Sequence, residues 1–341
     1  MKKYESIIGF GLTFLISFIV YLITLHPTVS YTDSGELAAA AITLGVAHPT
    51  GYPLFIILSH LWSYLPISSS PIYELNIFAA FTTALSAAMI FLIILRINKI
   101  TLKSQVKNVQ PEIKQKSTKL KSNKQSKIQN KNVNITKEII EPKDDNLTQS
   151  DVNEKLFGFG FFLAFAFALL YSFALTIWQQ STAFEVYSFQ LFIFTLIIYC
   201  LIKAKFDDSK NYWYLLSLLV GLGFANHMTT LLIIPGIIFI YFKNIGKGFD
   251  FSNSNMKQTL LLILPFLLGL SLYLYLPLRA SGEPLLNWGW VHRGLDEFLF
   301  HVQGKQYQIW MFSGERLGEN MVKFFNLIPY QVSFPGLILL I

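Results

Sequence analysis

The sequence predicts an all-α polytopic membrane protein, and three observations support this fold class. Hydrophobic residues make up 53% of the 341 positions and charged residues 14%, and the mean hydropathy is +0.46. A water-soluble domain of this size would lack the polar surface to cover so apolar an interior. Apolar runs of about 20 residues, the length of a bilayer-crossing helix, recur along the chain. Lys and Arg are concentrated in alternate connecting segments.

The apolar runs predict about eight membrane-spanning helices. They lie near residues 7–25, 76–95, 156–177, 187–203, 212–226, 228–242 and 258–278, and a further one begins at about 332. The polar pair Asn226 and His227 separates two of these runs, which could instead form one long kinked helix. We favour two short spans, because a single helix would move Lys243, Lys247 and Lys257 to the opposite side of the membrane.

The distribution of basic residues predicts the orientation of these spans. Residues 53–65 are too short to cross and include His60 and Trp62, so we expect an interfacial or re-entrant helix there. With the amino terminus inside, nearly all Lys and Arg fall on the inner side, as the positive-inside rule requires. The outer side then holds only Arg279, Arg293, Lys305, Arg316 and Lys323, and every histidine lies on the outer side or in the interfacial helix.

These spans divide the chain into five parts. They are the N-terminal spans with the first outer loop (26–54) and the interfacial helix at 1–95, a Lys-rich insert at 96–155, a transmembrane bundle at 156–278, an outer loop region at 279–331, and the start of a further, truncated span at 332–341. Because the last apolar run is too short to cross, we expect the chain to be a fragment or to lack an acceptor-binding region.

The Lys-rich insert accounts for most of the net charge of +7. Its polar composition predicts a disordered cytoplasmic loop. The loop either attracts anionic lipid headgroups or is a tolerated insertion that reinforces the topology. Because the charge is confined to this loop, we expect no nucleic-acid partner. The single cysteine, Cys200, lies in an apolar run and excludes a disulfide framework or a thiolate metal site.

The first outer loop contains two carboxylates in a suitable arrangement for acid–base chemistry. Asp33 and Glu36 are three residues apart at the start of an Ala-rich stretch that should be helical, so both can face one side near the positive helix end. One could act as a general base while the other orients a partner group. The alternative, which spacing alone leaves open, is that they cap the helix.

Other polar residues are also predicted on the outer side. His48 lies in the rigid turn AHPTGYPL, and Glu185 and Tyr187 lie at the outer end of a hairpin between two spans. Turns of this kind often carry function, and ionisable groups near the bilayer are costly to keep without a role. Asn226 and His227 lie at another outer hairpin, where His227 could donate to a phosphate oxygen or could simply pack.

The segment YLPLRASGEPLLNWGW at 275–290 contributes a cation and aromatic residues. Arg279 emerges where a lipid phosphate would lie, and guanidinium geometry suits a phosphate; the alternative is an interfacial anchor. Trp288, next to Asn287, could stack on a sugar or belong to the aromatic belt, as could Trp290.

Four of these segments, in order and spacing, resemble the motifs of one family. The segments TDSGELAAAAITLGVAHPTGYPLF, AFEVYSF, GLGFANHMTTL and YLPLRASGEPLLNWGW look like those of the transmembrane-protein-260-type O-mannosyltransferases, glycosyltransferase family 117. The resemblance covers about residues 26–310 and is interrupted by the Lys-rich insert. It implies a GT-C-like helical bundle, a polyprenyl-phosphate sugar as the donor, and Asp33 as the catalytic base with Glu36 beside it.

Side-chain chemistry suggests roles for other residues that lie within the matching motifs. Arg279, His227, Asn226 and His48 are candidates to bind the donor phosphate, and the candidates to bind substrate are Glu185, Tyr187, Asn287 and Trp288. We expect an inverting transfer of a mannose-like sugar to an acceptor hydroxyl of a protein or glycan, in a bacterial inner membrane with the site facing the periplasm.

We expect no cofactor and no metal, because cationic side chains can meet the charge of the leaving phosphate. A transporter or flippase for a lipid-linked substrate is the main alternative, but it would place ionisable residues along a path to both faces, whereas the candidates here collect on one face. A third hypothesis is that the protein is an inactive, scaffold-like membrane protein that kept the fold.

Overall fold

The computed structural model describes residues 3–30, 32–128, 149–207, 209–245, 253–309 and 317–340. Apart from an isolated bridge between Val46 and Asn287, the regular structure of these residues is helical. The α-helices are α1 Lys3–Ile23, α2 Ser34–Thr43, α3 Pro53–Trp62, α4 Pro71–Ile128, α5 Gln149–Ser172, α6 Leu175–Thr182, α7 Val186–Phe206, α8 Lys210–Asn226, α9 Ile234–Ile245, α10 Asn253–Leu270, α11 Tyr275–Ala280, α12 Leu295–Val302 and α13 Leu317–Leu340. Short 3₁₀ helices cover Met228–Ile233, Ser271–Leu274 and Lys305–Tyr307.

Four helical stretches among the described residues are long and apolar enough to cross a membrane. They are Tyr4–Ile23, Pro71–Leu102, Val186–Phe206 and Met256–Ala280, and they coincide with the predicted first, second, fourth and seventh spans. The pair Gly158–Ser172 and Leu175–Thr182, bent by 63°, would make a fifth at the place of the third. The chain is therefore an all-helical integral membrane protein, as its composition predicts.

Two further predictions concern single elements. A helix, α3, occupies the predicted interfacial segment, and α8 ends at Asn226, where His227 adopts an extended conformation (φ −158°, ψ 141°). The apolar region 212–242 is thus broken at the predicted position and is not one continuous helix. The last apolar run belongs to α13, which begins at Leu317 and so includes part of the predicted outer loop region.

The structure departs from the prediction of disorder in the Lys-rich insert. Helix α4 continues through its first part to Ile128, and α5 begins at Gln149; residues 129–148 lie outside the described residues. Lys and Gln have high helix propensity, and a segment that extends an existing helix has no nucleation cost. Composition alone therefore does not prevent a helix here.

The chain forms two compact units. Residues 94–164 form one, in which Asn98 donates to the carbonyl of Gly160 at 3.2 Å. Residues 2–93 and 165–341 form the other, which contains all the candidate site residues. In this second unit α8 packs closely on α10, because Gly221 and Gly269 face each other: a Cβ on Gly269 would lie 2.6 Å from the backbone nitrogen of Leu222. Small residues allow such close approach between membrane helices.

Asn76, buried on α4, joins segments that are far apart in sequence. Its amide nitrogen donates to the carbonyls of His26 at 2.8 Å and Thr28 at 3.2 Å, and its amide oxygen accepts from the backbone N–H of Phe184 at 2.8 Å. The chain leading to α2 and the chain leading to α7 are thereby held together at one place.

The segment 275–291 is bound to the residues that follow α2. The hydroxyl of Tyr275 donates to the carbonyl of Gly45 at 2.7 Å, and Val46 exchanges backbone hydrogen bonds with Leu286 at 2.8 Å and Trp288 at 3.1 Å. This contact fixes the position of the turn that carries His48.

Candidate active site

Asp33 occupies the N-cap position of α2 but does not cap it. Its backbone has φ −98° and ψ 3°, and its carboxylate makes no hydrogen bond to the first turn of the helix. The side chain retains 47% of its exposure. Of the two interpretations left open by the sequence, helix capping is not what this geometry shows. The carboxylate of Asp33 therefore lies at the positive end of the helix without capping it.

Glu36 is fully engaged by His48. One carboxylate oxygen accepts from the backbone N–H of His48 at 2.8 Å, and the other accepts from the ring Nδ1 at 2.9 Å. Burial by itself raises the pKa of Glu36, but the hydrogen bonds and charge of His48, with a hydrogen bond from Trp288, outweigh it and the pKa is lowered. Glu36 therefore stays ionised and holds the turn at His48 in place.

The His48 ring lies between several acidic or polar groups. Its Nε2 is 2.8 Å from the hydroxyl of Tyr52 and 3.8 Å from a carboxylate oxygen of Asp33. Burial by itself lowers the pKa of His48, but the hydrogen bond and charge of Glu36, with the charges of Asp33 and Glu185, outweigh it and the pKa is raised. Burial raises the pKa of Tyr52, so its hydroxyl stays neutral.

Glu185 adds a third carboxylate at the start of α7. One of its oxygens accepts from the backbone N–H of Asp33 at 3.2 Å. Burial, together with the negative charge of Asp33, raises its pKa to about 7, although backbone hydrogen bonds from Asp33 and Ser34 act in the opposite direction. Glu185 is therefore partly protonated near neutral pH, while Glu36 is ionised.

His227 faces the same site as a neutral ring. Burial, with a smaller contribution from the charge of His48, lowers its pKa to about 4. Its Nδ1 accepts from the backbone N–H of Thr229 at 3.1 Å, so the proton of the neutral ring must be on Nε2. The ring stacks on Tyr52, with centroids 5.6 Å apart and planes at 8°, and contacts Tyr187 at 5.0 Å.

The structure places the remaining candidates elsewhere or in supporting positions. Asn226 is buried and donates to the side chain of Gln190 at 2.7 Å. Asn287 donates to the carbonyl of Ala280 at 3.0 Å and pairs with Val46 through the β-bridge. Trp288 is 41% exposed and hydrogen bonds through its side chain to Glu36.

Arg279 binds the end of α2 opposite to Asp33. Its Nε donates to the carbonyl of Leu44 at 2.5 Å and one terminal nitrogen donates to that of Thr43 at 3.2 Å. These carbonyls lie at the end of the helix, where backbone carbonyls have no partner within the helix, and a cation stabilises this end. Since α2 has ten residues, this end is about 15 Å from Asp33 along the helix axis. The guanidinium is not adjacent to the carboxylates.

The geometry favours a hydrogen-bonded pair over a metal site. Ligand-capable atoms of Asp33, Glu36 and His48 lie within 4.8 Å of one another, which is close enough to share a cation. However, both oxygens of Glu36 already accept from His48, and its two ring nitrogens contact Glu36 and Tyr52.

Sequence reasoning missed several residues that build the site. Tyr52 lies within the predicted turn, and an aromatic residue four positions after a histidine was the available signal. The sequence offered no such signal for Asn76 and His301, because each contacts residues that are distant in sequence. His301 is 1% exposed and lies under the turn, where a Cβ on Gly51 would meet its Nε2 at 3.1 Å.

The fold and the site together define a class: an integral membrane protein in which three carboxylates and two imidazoles converge at one end of α2, α7 and α8. The chain belongs to the family described as protein O-mannosyl-transferase TMEM260 N-terminal domain, whose profile matches residues 33–247. This match confirms the family to which the four motifs point.

Two curated relatives are similar over a short region. The chain is 39% identical over 79 residues, 23% of its length, to the protein named Protein O-mannosyl-transferase TMEM260 of Mus musculus. It is 34% identical over 92 residues, 26% of its length, to the protein named Protein O-mannosyl-transferase tmem260 of Dictyostelium discoideum. The aligned region spans 11% of the length of each relative. No solved structure matches the chain significantly.

Proposed function

We propose that the chain carries the active site of a membrane glycosyltransferase that transfers a mannose-like sugar from a polyprenyl-phosphate donor to an acceptor hydroxyl, of the protein Ser/Thr type. The family and the names of its relatives support this activity. The observation that carries the proposal is the uncapped, half-exposed carboxylate of Asp33 at the N-terminus of α2. In this proposal the full bundle is GT-C-like with about eight spans, and the site faces the periplasm.

The proposed reaction is an inverting displacement. The carboxylate of Asp33 accepts the proton of the acceptor hydroxyl, and the hydroxyl oxygen attacks the anomeric carbon of the sugar. The bond from that carbon to the phosphate oxygen breaks, and the lipid phosphate leaves with the electron pair. Asp33 suits the role of base because its carboxylate is accessible, whereas that of Glu36 is occupied by His48.

One side chain, His227, is proposed to donate to the leaving phosphate. His227 offers its Nε2–H, since Nδ1 accepts from Thr229. A neutral donor of this kind, fixed in place, stabilises charge that develops in the transition state. The proposed role of Arg279 in phosphate binding loses support, because two of its nitrogens stabilise the C-terminus of α2.

The test is sugar transfer by membranes that contain the full chain. With a labelled polyprenyl-phosphate sugar as donor, we expect Asp33→Asn to lower the rate by about 10²- to 10⁴-fold, the usual contribution of a general base. Asp296→Asn is the matched control, because this exposed aspartate lies on α12 and should be replaceable without loss. A rate for Asp33→Asn close to that of wild type would remove Asp33 from the role of base.

A further inference from the structure

The site requires a source of positive charge close to its carboxylates. Asp33 and Glu36 both pair with His48, and the carboxylate of Glu185 accepts from the backbone N–H of Asp33. Three carboxylates thus lie at one site, and they would repel an anionic lipid phosphate. The expected cation, Arg279, is bound at the far end of α2. Among the described residues, the ion pairs of Asp33 and Glu36 are formed with His48.

The contacts of the His48 ring indicate which atoms carry protons. Nδ1 lies 2.9 Å from a carboxylate oxygen of Glu36, which accepts only, so Nδ1 is the donor. On the other side, the hydroxyl of Tyr52 is 2.8 Å from Nε2 and 3.1 Å from the carbonyl of Pro49. A carbonyl cannot donate, so the single hydroxyl proton of Tyr52 goes either to Pro49 or to Nε2. When it goes to Pro49, the hydroxyl oxygen accepts from Nε2, both ring nitrogens carry protons, and the ring is an imidazolium.

Resting on the proposed glycosyl transfer, we propose that Glu36 is a positioning residue that holds His48 beside Asp33 as a fixed imidazolium, and that this ring supplies the positive charge of the site. Glu36 fixes both the backbone and the ring of His48, so the ring cannot rotate away. The side chain of His48 is 10% exposed, against 47% for Asp33, so Asp33 reaches the substrate and His48 acts from behind it.

The charge of His48 affects the reaction through Asp33. The imidazolium lies 3.8 Å from a carboxylate oxygen of Asp33, a distance at which opposite charges attract. The ring therefore offsets part of the negative charge that Asp33, Glu36 and Glu185 bring to the site. The titratable groups that face His48 are Asp33 and Glu36 from α2, Tyr52 from its own turn, Glu185 from α7, His227 from the end of α8 and His301 from α12.

A histidine-specific exchange measurement tests the charge directly. Exchange of the imidazole C2 proton, followed by mass spectrometry of the purified full chain between pH 5 and 9, reports the protonation midpoint of each histidine. We expect the midpoint of His48 to lie above the ordinary value of about 6.5. Glu36→Gln should lower it by about one to three pH units, the usual effect of one neighbouring charge. Glu283→Gln, which removes an exposed carboxylate in the segment 275–291, is the control and should leave the midpoint unchanged.

Sugar transfer across the same pH range gives the functional readout. Activity requires the imidazolium, so the alkaline limb of the profile should move to lower pH in Glu36→Gln by the amount that the His48 midpoint moves. Glu36→Asp retains the negative charge and should restore part of the activity at alkaline pH. A purely structural role for Glu36 would lower the rate equally at every pH and would contradict the proposal.

Three outcomes overturn the inference. A wild-type midpoint for His48 at or below the ordinary value would show a neutral ring, and an identical midpoint in wild type and Glu36→Gln would show that Glu36 does not hold the charge. A midpoint that falls when Mg²⁺ or Mn²⁺ is added would place a metal where the proton is proposed. If wild-type membranes transfer no sugar, the proposed function fails, while the exchange measurement still decides the charge of His48.

Discussion

Glu185 is the carboxylate of the site whose protonation changes close to neutral pH. Burial and the nearby charge of Asp33 raise its pKa to about 7, so in the folded protein it binds a proton that the unfolded chain has already lost. A raised carboxyl pKa means that stability falls as pH increases from the ordinary carboxyl value toward 7, and the full cost is present above 7. The site therefore destabilises the fold at neutral and alkaline pH.

A substitution that removes this charge should stabilise the protein in a pH-dependent manner. We expect Glu185→Gln to be more stable than wild type at pH 8 by about 1 kcal/mol, a value reduced for the partial exposure of the side chain, and the gain should disappear toward pH 5. Thermal unfolding at the two pH values measures it. The control Glu283→Gln should change the stability by the same amount at both pH values. If Glu185→Gln also changed the stability equally at both pH values, the proposed protonation of Glu185 would be contradicted.

At the scale of elements, the contact between α8 and α10 depends on two glycines. A Cβ on Gly221 would lie 3.1 Å from the Cα of Gly269, and one on Gly269 would lie 2.7 Å from the carbonyl oxygen of Leu218. These neighbours are backbone atoms and cannot move as a side chain does. The close approach brings the end of α8, and with it His227, to its place in the site.

Alanine substitutions at these glycines should therefore be costly. We expect Gly269→Ala to destabilise the bundle by about 1–3 kcal/mol, the usual cost of overpacking. Gly236→Ala on α9 is the matched control, since its Cβ would meet no atom within 4 Å, and it should be neutral or slightly stabilising because alanine favours helix. Thermal unfolding in lipid nanodiscs compares them; equal stability of the two variants would show that α8 and α10 can separate without cost.

Part of the fold and of the site could be predicted from the sequence. Hydropathy identified the four helices that are long enough to cross a membrane, the bent pair that would make a fifth, and the break at His227. Residue chemistry selected Asp33, Glu36 and His48, which the structure brings together. Spacing alone could not show that Asp33 leaves α2 uncapped or that Glu36 pairs with His48, because both depend on how the rest of the chain folds around this helix. The binding of Arg279 to Leu44 and the three bonds of Asn76 were invisible for the same reason: they join residues distant in sequence.

At the scale of the whole molecule, the proposed chemistry requires the first loop and the segment 275–291 to share one aqueous compartment. Backbone hydrogen bonds of Val46 to Leu286 and Trp288 join them, so both must lie on the same side of the membrane. The charge distribution predicts that this side is the outer one.

Cysteine labelling from one side of sealed vesicles tests this arrangement. In a Cys200→Ala background, a membrane-impermeant maleimide should react with Leu285→Cys, which is 92% exposed, and with Val29→Cys from the outer side, and with Lys99→Cys only after the membrane is opened. Labelling of Val29→Cys and Leu285→Cys from opposite sides would contradict both the fold and the proposed reaction.

Several contacts that hold the site together join the chain before the Lys-rich insert to the chain after it. Tyr21 binds Ser172, Asn76 binds Phe184 and Asp33 binds Glu185, each across more than a hundred residues. The entropic cost of closing such a loop grows only with the logarithm of its length, about 0.6 kcal/mol for each doubling. The stability of the assembled site therefore depends little on the length of the intervening sequence, so this region can gain or lose residues during evolution while the geometry of the site persists.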